Sequence, residues 1–329
     1  MSHNFQKQRI EHEQDRIIKE IFFYTNKYNV DNISRTKAYL KFYRTYPEIQ
    51  WAFLASMVSR NAGWNMCDLE GSTLPKALSI AYRRQLFLTY EVANYLIFKD
   101  VFPQLLLYHY SVKYKRPLFH LHTPFLISHF IRKEWEYFWI HRDQKRLMTA
   151  LIINEQNVIQ QPVIEQPFFR ENVFQSGLFL LQDLLHFSTV LFPTVNGELY
   201  GATVHQFKNV SSRIQLGKIL ACILFNEDRY ADFYDFAVKT EHTGSREDYE
   251  RFFPNGKWRD TPYLRMVFPV VNHQFQSFPR WDSFRKVKEK WKEPIVLSNV
   301  RQITSWYERK QKQVRLFAAT CDLFRGLFC

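Results

Sequence analysis

The chain has 329 residues, 45 Lys+Arg against 32 Asp+Glu for a net charge of +13, and 46% hydrophobic and 17% aromatic residues. This excludes a disordered or low-complexity chain, and only 9 glycines, less than half the ~7% of an average protein, argue against turn-dense β-sandwiches and Gly-rich phosphate loops. Charge is uneven, at +9 over residues 1–150, −6 over 151–250 and +10 over 251–329. Either the basic ends fold against the acidic middle or the surplus forms a patch for an anionic partner.

From Glu13 to Tyr28, Ile17, Ile18, Ile21 and Phe22 fall on one helical stripe with charge opposite. Asp31 or Asn32 is placed to cap a helix from Ile33 to Tyr46. Pro47 is placed to open another running to Asn61, with Gly63 at its C-terminal stop. Apolar helices are expected over 74–98 and 102–114, an extended piece over 118–123 between two prolines, and helices over 125–141 and 143–159. The irregular stretch from Pro162 to Pro167 is the expected place for a subdomain boundary. Helices are expected again over 175–192 and 211–225, and Asn196-Gly197 signals a turn that suits one short hairpin. Over 300–328 apolar residues recur at three and four, with Asn299 and Gln302 in capping-box spacing. The expected fold is all-α, one large multi-helix domain with at most one short hairpin.

The start of the chain lacks an apolar h-region, and no uncharged run reaches the ~20 residues of a spanning helix. The four cysteines Cys67, Cys222, Cys321 and Cys329 show no pairing or zinc spacing. A cytoplasmic protein, soluble or peripheral to a membrane, is expected.

The run Ser59-Arg-Asn-Ala-Gly-Trp-Asn-Met-Cys-Asp-Leu69, with His242-Thr-Gly-Ser-Arg246 and Thr261-Pro-Tyr-Leu-Arg265, resembles the YppC-like proteins of Bacillus and relatives, and the similarity extends over most of the chain. That family is a domain of unknown function. The resemblance implies a bacterial, cytoplasmic protein and supplies no catalytic residues, so the chemistry rests on the residues themselves.

Arg60, Asn61, Asn65 and Asp68, with Trp64 as an apolar wall, could converge on a polar ligand, or equally serve as a helix stop and the next cap. His120, His122 and His129 are the densest histidine group. On an extended segment the first two face one way and could hold a transition metal, although no HExxH is present and chance clustering explains the group as well. His242, Ser245 and Arg246 precede a helix start, where exposed amides and the guanidinium suit an anion, or where Ser245 and Asp248 simply cap. Lys286, Lys288, Lys290 and Lys292 alternate near Trp281, Phe284 and Trp291, and Arg309, Lys312 and Arg315 lie on one side of the last helix.

The leading expectation is a non-enzymatic binding or scaffold protein. Its basic terminal segments would engage nucleic acid or, second, an anionic membrane surface. The C-terminal amphipathic helix offers a face to a protein partner. The alternative is a helical enzyme or small-ligand protein with a polar inter-helix pocket, with or without a metal.

Overall fold

The computed structural model describes residues 2–61, 66–176, 179, 189–204, 206–254, 261–273 and 279–328, with side chains placed except at 2–10, 61 and 324–328. Among these residues helices dominate, and strands occur only as one antiparallel pair. Helix α1, Ser2–Tyr28, buries Ile17 and Ile21 and turns its charges outward. Asp31 caps α2, Asn32–Thr45, by accepting from the Ser34 amide at 2.7 Å. Helix α3, Gln50–Asn61, folds back on α2 through paired rings: Tyr43 stacks on Phe53 at 4.9 Å and Tyr39 meets Trp51 edge-on at 5.4 Å. Pro47 sits in the intervening turn rather than at a first helical position, so the third helix starts three residues later than expected.

A single 35-residue helix, α4, Ile80–Tyr114, replaces the two expected over 74–98 and 102–114, and residues 74–77 form a separate short turn of helix. Pro103 lies inside α4. A proline there costs about 3 kcal/mol. Its neighbours Phe98, Val101, Phe102 and Leu105 are all buried, and their packing offsets that cost and keeps the axis continuous.

Residues 119–125 form a 3-10 helix, not the extended piece the flanking prolines suggested. Ser128 and Asp143 then cap α5, His129–His141, and α6, Gln144–Val158. A π-helical turn, Gln160–Ile164, continues from α6 through the buried Pro162.

The end of the helix expected over 175–192 is instead strand β1, Thr189–Pro193, paired with β2, Leu199–Thr203, so that Thr189 faces Thr203. Residues 190–193 are all buried and rich in bulky groups, a pattern that periodicity alone cannot separate from a buried helix. The Asn196-Gly197 turn is where the hairpin reverses. Gly197 has φ +78°, and a Cβ there would lie 2.3 Å from the Phe252 carbonyl oxygen. Helix α7, Val210–Leu224, crosses α6 so closely that a Cβ on Gly217 would lie 2.7 Å from Ile152 Cγ2, and α8, Tyr230–Lys239, follows.

Beyond α8 the chain is mostly irregular and is held by buried anchors, among them Leu264, Trp281 and Trp291. The last helix, α9, Thr304–Phe328, starts where Ile303 N donates to Leu199 O at 2.7 Å and Leu199 N donates to the Thr304 hydroxyl at 2.9 Å. The edge of β2 therefore fixes its start, five residues after the expected cap at Asn299.

Two hydrophobic cores result. The larger joins α1–α3, α5–α8, the hairpin and the second half of α4; the smaller joins the first half of α4 to residues 66–78, 159–174, Phe179, Leu264 and Val314. Helix α4 is the shared wall. None of the described helices is long and apolar enough to cross a membrane.

Candidate functional site

The two polar loops singled out in the sequence meet. Arg60, at the end of α3, donates from Nη2 to the Glu241 carbonyl at 2.8 Å, lies 3.8 Å from Asp248 Oδ2, and stacks over the Phe236 ring at 4.6 Å. Asp68, in the 3-10 turn Met66–Glu70, accepts from Arg246 Nε. Arg246 Nη1 also donates to the hydroxyls of Tyr249 and Tyr307 at 2.8 and 2.9 Å, and Tyr307 donates to Glu250. Asp248 accepts from the Thr243 amide and hydroxyl at 2.9 and 2.6 Å, with His242 Nδ1 at 3.4 Å. Ser245 donates to the Thr261 carbonyl at 2.8 Å. Arg60, Asp68, segment 241–250, Thr261 and the first turn of α9 are thereby bound into one buried cluster.

Gly244 makes the approach possible. Its φ is +85°, and a Cβ would lie 2.7 Å from Leu264 Cβ.

The electrostatics are those of a closed network. Burial lowers the Arg60 guanidinium to about 10 against the pull of Asp248. Burial alone would raise Asp248, but the bonds from His242 and Thr243 and the charge of Arg60 hold its carboxyl below the usual range. Burial pushes His242 below the ordinary imidazole value, with the Asp248 bond opposing. Arg246 is raised well above its usual value: burial opposes its charge, but Asp68, Tyr249, Tyr307 and Glu250 outweigh it. Both arginines of the cluster have a carboxylate, the condition under which buried charge is tolerated.

The sequence expectations divide here. Arg60 and Asp68 belong to the cluster, whereas Trp64, Asn65 and the Asn61 side chain lie outside the described residues. His242, Ser245 and Arg246 are in the same cluster but engaged internally, with Arg246 only 4% exposed. Ser245 Oγ accepts from the Glu247 amide, yet the helix it starts, Glu247–Glu250, is a single turn, and Asp248 reaches back to Thr243 instead of completing a capping box.

The three histidines do not join the cluster. Because 119–125 is helical, His120 is exposed and takes up Gln14, while His122 turns inward beside the His129 ring at 5.5 Å. Among the described residues no three His, Cys, Asp or Glu side chains come together as a metal site. Lys286, Lys288, Lys290, Lys292, Arg309, Lys312 and Arg315 are all exposed. Two of the nearby aromatics are anchors rather than stacking surfaces: the buried Trp281 donates to Asn154 Oδ1 at 2.8 Å and the buried Trp291 to the Ser211 hydroxyl at 2.9 Å.

Sequence reasoning missed two further polar arrangements in the interior. Arg35 pairs bidentately with Glu91, which also meets His273 Nε2 at 3.1 Å. Asp100, an acid within the apolar run 96–107, accepts from Asn154 at 2.6 Å and Gln104 at 2.7 Å beside a cavity. That lone acid in an apolar stretch was the available signal.

An all-α body with two cores and a buried ion-pair cluster joining distant loops is the class these features define. The chain belongs to the family described as "Protein of unknown function (DUF2515)", which it matches over residues 27–308. It is 45% identical over 305 residues to the uncharacterized protein YppC of Bacillus subtilis (strain 168), an alignment that takes in 92% of this chain and 95% of that protein. No solved structure matches the chain significantly.

Proposed function

We propose that the protein binds a polyanion, with duplex nucleic acid as the partner and an anionic membrane surface as the second candidate. The observation that supports this reading is where the positive charge lies. The interior cations Arg35, Arg60, Arg83 and Arg246 each face a carboxylate, while the buried Arg213 and Lys218 are held by amide and carbonyl oxygens of the chain. Lys286, Lys288 and Lys290 are exposed and enter no ion pair among the described residues, and the same is true of Arg309, Lys312 and Arg315. Burial of Trp281 and Trp291 removes two of the rings that stacking on unpaired bases would use, which favours phosphate contact over base stacking.

Fluorescence anisotropy with a labelled duplex at rising salt tests the reading. Three neutralised phosphates give a slope of about −3 in log K against log salt. Changing Lys286, Lys288 and Lys290 to Glu flattens that slope. Absence of binding at low salt, or binding indifferent to salt, overturns the proposal. Preference for anionic vesicles over duplex selects the membrane instead.

The alternative of a pocket built on Arg60, Asp68, His242 and Arg246 has their convergence and the unpartnered Arg60 Nε and His242 Nε2 in its favour, and the pairing of every one of its carboxylates within the chain against it. Its metal branch is tested by elemental analysis of untagged protein. A stoichiometric transition metal that is lost when His120 and His122 become Ala would favour that branch.

A further inference from the structure

Between α4, the end of α6 and the segment 279–284 lies a cavity of about 170 Å³. This is the scale of the engineered apolar cavity that admits benzene. Leu96, Phe125, Val158, Pro162, Trp281 and Phe284 make most of its wall apolar. Its polar groups are few and of defined kind.

Asp100 lines the cavity and is fixed by its Oδ2 atom, which accepts from both Asn154 Nδ2 and Gln104 Nε2, while its Oδ1 makes no hydrogen bond among the described residues. Asn157 is 2% exposed; its amide nitrogen is committed to the Ile153 carbonyl at 2.8 Å, while its Oδ1 has no partner. A buried carbonyl oxygen left unpaired costs about 1–3 kcal/mol, which a ligand's donor recovers. Both open atoms are acceptors. Arg280 also lines the cavity, is half-buried and enters no ion pair among the described residues, and the exposed Lys99 completes the charged groups on the wall. The neighbouring Asp282 has its Oδ2 taken by the Phe130 amide, and its Oδ1 is a further buried oxygen without a partner.

We infer that this cavity binds a small zwitterion, an amino acid with an apolar side chain. Its ammonium would meet Asp100 and Asn157, its carboxylate Arg280, and its apolar body Phe125, Trp281 and Phe284. An ammonium supplies several donors and one charge, which suits two acceptors of which one is a carboxylate. A lone carboxylic acid would leave both acceptors unmet, and a simple amine would leave Arg280 unpaired. Burial, with Asp282 adding to it, raises the Asp100 carboxyl to about 7 against the bonds from Asn154 and Gln104. An arriving ammonium stabilises its ionised form. The site is separate from the basic surface of the proposed function, so the two can fail independently.

Titration calorimetry of the full chain with L-leucine and L-phenylalanine tests the inference, alongside phenethylamine, which lacks the carboxylate, and hydrocinnamate, which lacks the ammonium. One or both amino acids are expected to bind, with the truncated analogues weaker by about tenfold or more, as loss of one charge-assisted bond implies. Asp100→Asn preserves side-chain shape and should abolish the advantage of phenylalanine over hydrocinnamate. Arg280→Gln should abolish its advantage over phenethylamine. Thermal melts of both variants confirm folding, and Phe284→Ala, at a half-exposed wall position, provides a third variant expected to weaken binding without disturbing the interior. No binding of either amino acid up to about 10 mM, or hydrocinnamate binding as well as phenylalanine, overturns the inference.

Discussion

The cluster around Arg246 is buried and polar, whereas the cavity beside Asp100 has a mostly apolar wall that reaches exposed residues, and the two are built on opposite rules. In the first, Asp68, Asp248 and Glu250 face Arg60, Arg246, His242 and Tyr307, and every carboxylate is paired within the chain, although Arg60 Nε and His242 Nε2 keep no partner among the described residues. In the second, Asn157 Oδ1 is buried without a partner, Asp100 is bonded through Oδ2 alone, and Arg280 on the same wall enters no ion pair among the described residues. Paired charge therefore marks the place where the chain closes on itself, and a cavity with few polar groups on an apolar wall marks the place that can take something else. The difference also explains why a cluster of polar residues in sequence is a poor pointer to a ligand site: helix ends and converging loops need such groups for their own backbone.

The strongest way to break this comparison is to remove one side of a saturated pair. Arg246→Met leaves Asp68 buried without its cation and should cost about 3–5 kcal/mol, measured by urea denaturation. If the loss is under about 1 kcal/mol, the cluster is not a closed structural network.

Asp100→Asn should act the other way, and pH reveals it. Asp100 titrates higher in the folded chain, about 7, than the ordinary 3.8. The folded state therefore binds the extra proton, and that contribution to stability is full below about 4 and lost as pH rises through about 7. The Asn variant should gain on the parent between pH 5 and pH 8 by on the order of a few kcal/mol. Asp248 carries the reverse sign: its carboxyl is depressed, so its contribution is present above about 4 and disappears as acid protonates it. Parallel stability–pH curves for parent and D100N would remove the distinction between the two carboxylates.

Smaller effects sharpen the picture. Gly244→Ala puts a Cβ against Leu264 at a left-handed φ and should cost about 1–3 kcal/mol, seen as a lowered Tm, because two closely packed segments must part. Lys286→Glu, Lys288→Glu and Lys290→Glu should each change stability by no more than about 0.5 kcal/mol while weakening duplex binding at low salt.

Much of the fold was legible. The Asp31 cap, the helix start at Asp143 and the stripes of α1, α2, α6 and α7 are local features, and the Asn196-Gly197 turn carries its own signal, whereas the helix expected from residue 125 begins only after its cap at Ser128. Where local rules misplaced elements, tertiary packing had overridden them: buried rings carry α4 through Pro103, and β2 sets the first turn of α9. The candidate site was legible only in part. Arg60, Asp68, His242 and Arg246 were singled out for polarity and spacing, but their pairing joins residues about 180 apart, beyond the reach of any local pattern. Arg280 and Asn157 gave no local signal, since a lone Arg and a helical Asn are ordinary in sequence.

Periodicity, capping groups and the scarcity of glycine dictated on their own that this chain would be helical, because those preferences act within a turn or two of backbone. Which charges cancel one another, which stay in water and which line a cavity was decided only when remote segments packed. A side chain's energy depends on the dielectric and the partners around it, and the folded chain alone supplies both.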